Sequence, residues 1–151
     1  MTLSDFTKQP RGPFAFDCWT ANQAIPSPMG EFIVELQMGV GDNAPPDREM
    51  LRCAEELVAL FRANVEIIHD KVFEHYQAVT AEGGWEGGCE VPADLDRLGM
   101  LAHLEVRTLT VSRVGDEDEP YVSRVYISPA WDEEHGIYLA YRDGEWEFVD
   151  S

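Results

Sequence analysis

The sequence predicts an α+β fold, an antiparallel sheet with a long helix or helix pair packed on one face. Three patterns point there. Glu31 to Met38 alternate, with Phe32, Val34, Leu36 and Met38 on one side. Arg48 to Val79 switch to helical spacing, and beyond Gly99 short strand signals succeed one another between turns. With 151 residues, 44% of them apolar, the chain suits one globular domain, residues 1–151.

The first forty residues predict short strands and turns. Phe14 to Trp19 is aromatic-rich, and the Ile25-Pro26-Ser27-Pro28-Met29-Gly30 stretch punctuates before the strand at Glu31 to Met38. Gly39 to Pro46 breaks that strand, and Asp47 is placed to cap a helix starting at Arg48.

From Arg48 to Val79, Leu51, Val58, Val65, Val72 and Val79 recur every seven residues, with Ala54, Phe61, Ile68 and His75 as the interleaved row. Leu57, Leu60, Ile67, Phe73 and Tyr76 widen this seam into a broad face that suits a sheet better than a two-stranded coiled coil. An unbroken helix would run to about 48 Å at ~1.5 Å per residue, so a break near Asn64 or His69 is expected.

Residues Ala81 to Pro92 form a glycine-rich loop, with a helical turn after it around Asp94 to Leu98. A four-stranded meander then closes the chain. Leu104 to Val114, Tyr121 to Ser128, Ile137 to Tyr141 and Trp146 to Val149 are its strands, joined by the acidic turn Gly115 to Pro120, the Trp131 to Gly136 segment and an Asp143-Gly144 hairpin.

Charge is the unusual feature. Twenty-nine acids face 11 lysines and arginines, a net of −18, with −10 in residues 1–100 and −8 in the rest. Such a surface repels phosphate backbones and anionic lipid, so nucleic acid and membrane are not expected partners, and a basic protein is. Met1 to Pro13 lacks a basic flank and apolar run, the longest apolar stretch is too short to span a bilayer, and Cys18, Cys53 and Cys89 form no close pair. A cytoplasmic location is expected.

Catalytic chemistry finds little support in the residues. His69 and His75 lie six apart and so on different helix faces, His103 stands alone, and no Cys-x-x-Cys occurs. His135, beside Asp132, Glu133 and Glu134, is the best metal candidate, although turn chemistry alone explains the same residues. Cys89 lies between Gly88 and Glu90 in an acidic loop whose carboxylates oppose a thiolate. The Gly83-Gly84-Trp85-Glu86-Gly87-Gly88 loop lacks the lysine of a phosphate cradle and carries acids in its place. No cofactor is implied. The expected interaction residues are Trp85 as an aromatic anchor and two acidic clusters, Asp116, Glu117, Asp118 and Glu119, and Asp132, Glu133 and Glu134, which would form one acidic rim if both turns lay at one end of the sheet.

The run from Tyr121 to Ala130 into Trp131-Asp132-Glu133-Glu134-His135-Gly136 resembles a bacterial family of unknown function whose members end in a Trp-Asp-x-Glu-His-Gly signature. The resemblance covers residues 48–151. It implies a small cytosolic protein of the kind found beside polymorphic toxins, an immunity protein whose partner is the cognate toxin, and it supplies no catalytic residue. It also implies a structural corner in which Trp131 fills the core while Asp132, His135 and Gly136 fix the turn. Two other readings remain, a small metal-dependent hydrolase centred on Asp132 to His135 and a homo-oligomeric regulatory module using the heptad-like seam. Either monomer or homodimer is compatible with the sequence.

Overall fold

A computed structural model of the protein describes residues 1–9, 17–39, 41–42, 44–81, 91–114 and 116–150. Seven strands form one sheet in sequential order: β1 (Phe6–Lys8), β2 (Cys18–Ala21), β3 (Ile33–Gln37), β4 (Leu104–Arg113), β5 (Tyr121–Pro129), β6 (Ile137–Arg142) and β7 (Glu145–Phe148). Every neighbouring pair is antiparallel except β3 and β4, which run parallel with Ile33 opposite Thr108 and Gln37 opposite Ser112. A parallel neighbour requires a crossover, and helices α1 (Arg48–Ala63) and α2 (Val65–Ala81) provide it. The fold is therefore α+β, with the predicted meander as β4 to β7 and the N-terminal strands joined to it through the parallel pair.

The expected helix break falls at Asn64. Its φ of −125° and ψ of 18° leave the helix, its amide donates to Leu60 O at 3.1 Å, and its side-chain amide donates to the same oxygen at 2.8 Å. Two helices replace one, each short enough to track the twisted sheet. Asp47 caps α1, its Oδ1 accepting from the Met50 amide at 2.9 Å.

The heptad-like rows are spent on the core. Ala54, Leu57, Val58, Phe61, Ile68 and Val72 are buried against Phe32, Val34, Leu36, Leu109, Val111, Val125, Ile127 and Leu139. Phe61 meets Phe32 with ring centroids 4.6 Å apart. Strand alternation thus sends odd-numbered residues of β5 from Val125 onward and even-numbered residues of β3 towards the helices. Neither helix covers the opposite face, where Thr108, Thr110, Arg124, Tyr126 and Tyr138 lie.

Beyond the glycine-rich loop, turns at Asp94 and Leu98 lead into a 3-10 helix at Gly99–His103 that precedes β4, so the strands begin later than Gly99. The Asp143-Gly144 hairpin has both residues at positive φ, 51° and 81°. That is the twist a two-residue antiparallel turn needs. Among the described residues no helix is long and apolar enough to cross a membrane.

Candidate functional site

The Trp131–Gly136 segment turns the chain from β5 into β6. Trp131 is 2% exposed and packs edge-on against Tyr76 of α2, ring centroids 5.1 Å apart. Asp132 is 7% exposed. Its amide donates to Pro129 O at 3.3 Å, and its own carbonyl accepts from the Gly136 amide at 3.2 Å. Its Oδ1 lies 2.9 Å from His135 Nδ1 and, as a carboxylate oxygen, accepts a hydrogen bond from that ring's Nδ1–H. Gly136 sits at φ +69°, and a Cβ there would stand 2.7 Å from Tyr126 Cε2. Only glycine meets both conditions without strain.

A histidine from α2 completes the corner. Trp131 Nε1 donates to His75 Nδ1 at 3.0 Å. An indole can only donate, so His75 Nδ1 must be bare and its proton resides on Nε2, which faces Asp132 Oδ2 at 3.8 Å. Burial holds the His75 pKa below its ordinary value, with the Asp132 charge working in the opposite direction. Phe148 of β7 closes the far side of the ring at 6.0 Å, and Lys71 stands 5.5 Å over the Phe148 ring. The Asp132 carboxylate is thus held between two imidazoles, one half-buried on α2 and one on the exposed turn. This arrangement fixes α2 to the sheet. Among the described residues no three His, Cys, Asp or Glu side chains gather as a metal would require.

A second polar cluster lies at the opposite end of the sheet. Arg113, at the end of β4, donates from Nη1 to Asp42 Oδ2 at 2.8 Å and from Nη2 to Pro45 O at 3.2 Å, with Asp47 Oδ2 3.7 Å away. The Tyr121 hydroxyl donates to Asp47 Oδ2. Asp42 is held below its ordinary pKa by the Arg113 hydrogen bond and the Ala44 amide. For Asp47, burial pushes upward, but the Tyr121 hydroxyl, the Met50 amide and Arg113 outweigh it and the pKa falls. These bonds anchor the start of α1 to the β4–β5 hairpin.

A family model described as a domain of unknown function, DUF6985, matches residues 10–151. The chain belongs to that family. Neither a curated protein nor a solved structure matches it. The DUF6985 match starts well before residue 48, where the resemblance carried by the Trp-Asp-x-Glu-His-Gly run begins. The sheet accounts for the longer extent, since β2 and β3 are hydrogen-bonded into it through the parallel pairing with β4.

Within the DUF6985 domain, the expected interaction residues separate. Asp116, Glu117, Asp118 and Glu119 are exposed on the β4–β5 turn. Glu133 and Glu134 are exposed on the β5–β6 turn, whereas Asp132, between them and Trp131, points inward and holds His135. The nine residues of β5 stand between the two turns, about 30 Å at ~3.3 Å per residue. One continuous acidic rim is therefore not formed, because successive turns of a meander lie at opposite ends of the strand they share. Trp85, Cys89 and the glycine-rich loop from Gly83 to Gly88 lie outside the described residues.

His69 holds a structural contact. His69 is 1% exposed, with Nε2 3.2 Å from Arg97 O. Burial, reinforced by Glu35, pushes the Cys18 thiol up to about 12, and burial also raises Cys53, so neither supplies a thiolate at neutral pH. The residue that sequence reasoning missed is His75. The sequence showed it as a polar member of an apolar heptad row and as half of a rejected metal pair with His69, and its partner Trp131 lies 56 positions away.

Proposed function

We propose that this domain is a non-enzymatic binding protein, an immunity protein that neutralises a cognate basic toxin by covering its active surface. The reading is supported by one observation above the others. The β4–β5 turn presents Asp116, Glu117, Asp118 and Glu119 together in solvent, and among the described residues no base lies within ion-pair reach of them. Three of the arginines are engaged elsewhere. Arg52 lies between Glu49 and Glu56, Arg97 between Glu66 and Asp70, and Arg113 between Asp42 and Asp47. The net −18 field is therefore left unscreened at that hairpin tip, and such a field steers a cationic partner before contact.

The tip is also rigidly backed. Val114 N donates to Pro120 O at 3.0 Å across the base of the turn, and Tyr121 is tied to Asp47. A pre-organised acidic loop loses little entropy on docking. Glu133 and Glu134 offer a smaller acidic pair at the other end. With Trp85, they complete the residues proposed for recognition.

The test is capture of the partner on tagged protein, washed at low and high salt, and then association kinetics. A single stoichiometric basic partner is expected, with its on-rate reduced about tenfold or more at low salt when Asp116 to Glu119 are neutralised to Asn and Gln. An on-rate that ignores this change would remove the electrostatic part, and loss of toxin neutralisation in cells carrying the variant tests the immunity role directly.

A further inference from the structure

The helix-free face of the sheet carries an arginine with no counter-charge among the described residues. Arg124 lies opposite Thr110 on β4, and next to it Tyr126 lies between Thr108 on β4 and Tyr138 on β6. The Tyr126 and Tyr138 rings are 4.8 Å apart. Arg124 is half-buried, and its Nε is closed off from solvent without an acceptor. No carboxylate among the described residues comes within ion-pair distance of it, in a chain with 29 acids. Thr108 is only 9% exposed, and its Oγ1 is likewise buried and unbonded. In register it is the diagonal neighbour of Arg124, so the two unsatisfied side chains lie on the same face of adjacent strands.

The nearby acids do not fill this place. Glu35 stands one strand further on, opposite Thr110, and accepts from Gln37 Nε2 at 2.9 Å. Glu147 on β7 is 3.5 Å from Arg142. Buried polar groups are satisfied in the large majority of native sites, and a sheltered guanidinium without an anion is the more costly exception.

We propose that this face binds a carboxylate, held by the Arg124 guanidinium and the Thr108 hydroxyl beside the Tyr126–Tyr138 pair. A planar guanidinium matches two carboxylate oxygens side by side. Access to Nε and Oγ1 requires a side-chain rotamer change, a movement common on binding faces. Burial and the neighbouring Tyr126 raise the Tyr138 pKa while Arg124 lowers it, so the phenol remains protonated and able to donate. The single negative charge of a carboxylate also opposes the acidic field of the chain less than a doubly charged phosphate would. The carboxylate can belong to a small organic acid or to an acidic peptide side chain. The site is independent of the proposed toxin partner and occupies a different surface.

The experiment tracks the Arg124 Nε–H and Tyr138 resonances of the isotope-labelled full chain by NMR at constant ionic strength. Benzoate and a capped Gly-Glu-Gly peptide are the two carboxylate arms, and inorganic phosphate and chloride are the comparisons. Saturable shifts are expected with benzoate, with the peptide, or with both, and the tighter of the two identifies the source. Binding is expected to vanish in Arg124→Gln and to weaken about fivefold in Thr108→Val, the loss of one hydrogen bond. Arg124→Lys keeps the charge without the fork and provides a second variant if glutamine disturbs folding. Shifts that rise linearly with every anion, or that persist unchanged in the folded variants, would overturn the proposal.

Discussion

Trp131 donates its indole proton to His75 across 3.0 Å, and this one bond fixes both the position of α2 and the protonation state of the imidazole. A protonated His75 would carry hydrogen on both nitrogens and oppose the indole N–H directly. The Asp132 carboxylate, 3.8 Å away, favours that charged form, but burial outweighs it. The corner is thus stable while His75 is neutral.

Removing the acceptor tests the bond. His75→Ala leaves the Trp131 N–H buried without a partner and is expected to lower stability by about 1–3 kcal/mol, with a further loss from the vacated ring volume. His75→Gln can still offer an oxygen to the indole and is expected to cost clearly less. Urea denaturation of the two variants measures the difference, and equal losses would mean that the hydrogen bond contributes nothing beyond packing.

The same ring sets a pH dependence. Its folded pKa lies below the ordinary 6.5, so the unfolded chain binds the proton more readily. Its stabilising contribution is complete above pH 6.5 and is lost as pH falls through the folded value. Asp42 and Asp47 are also depressed, but from 3.8, and therefore act at much lower pH. Stability is expected to decline over the interval that begins as pH falls below about 6.5 in the native chain, and to decline less in His75→Gln. Urea midpoints across that interval decide it, and parallel curves would show that His75 is not the group responsible.

Asp47 supports the opposite end of the sheet. It caps α1 through Met50 and accepts from Tyr121 near Arg113. Asp47→Ala is expected to cost about 1–2 kcal/mol from the cap, and Asp47→Asn appreciably less, since asparagine caps equally well. Thermal denaturation of the pair separates capping from charge. A larger loss with asparagine would place the charge contact with Arg113 first.

Local features were legible in the sequence, and remote pairings were not. The alternation of Phe32, Val34, Leu36 and Met38 gives β3 its buried face, and the wide face from Leu51 to Tyr76 gives the helices theirs except at Ile67, which is exposed, because period decides both. The turn chemistry of Asp132, His135 and Gly136 was equally visible. In contrast, β1 is only three residues, too short for a pattern, and the parallel pairing of Gln37 with Ser112 joins positions 75 apart. No local signal encodes such a partner. Arg124 and Thr108 could not be singled out for the same reason, since what distinguishes them is the absence of an acceptor from three strands at once. The separation of the two acidic turns is different in kind, because the meander connectivity alone dictates it.

The contact between Gly136 and Tyr126 links the corner to the helix-free face and can be separated into its parts. Two effects oppose a side chain at position 136. The positive φ costs any L-residue about 1–2 kcal/mol, and a Cβ would press the Tyr126 ring from 2.7 Å. Gly136→Ala is therefore expected to lose about 2–4 kcal/mol in the native background, combining backbone strain with overpacking. In a Tyr126→Ala background the ring is gone and only the backbone part should remain, about 1–2 kcal/mol. Four urea curves close this double-mutant cycle. A coupling of roughly 1 kcal/mol or more is the expected outcome, because the β5–β6 corner would then set where the Tyr126 ring lies beside Tyr138. Equal costs in both backgrounds would mean that the ring moves aside freely and that glycine is required by its dihedral angle alone.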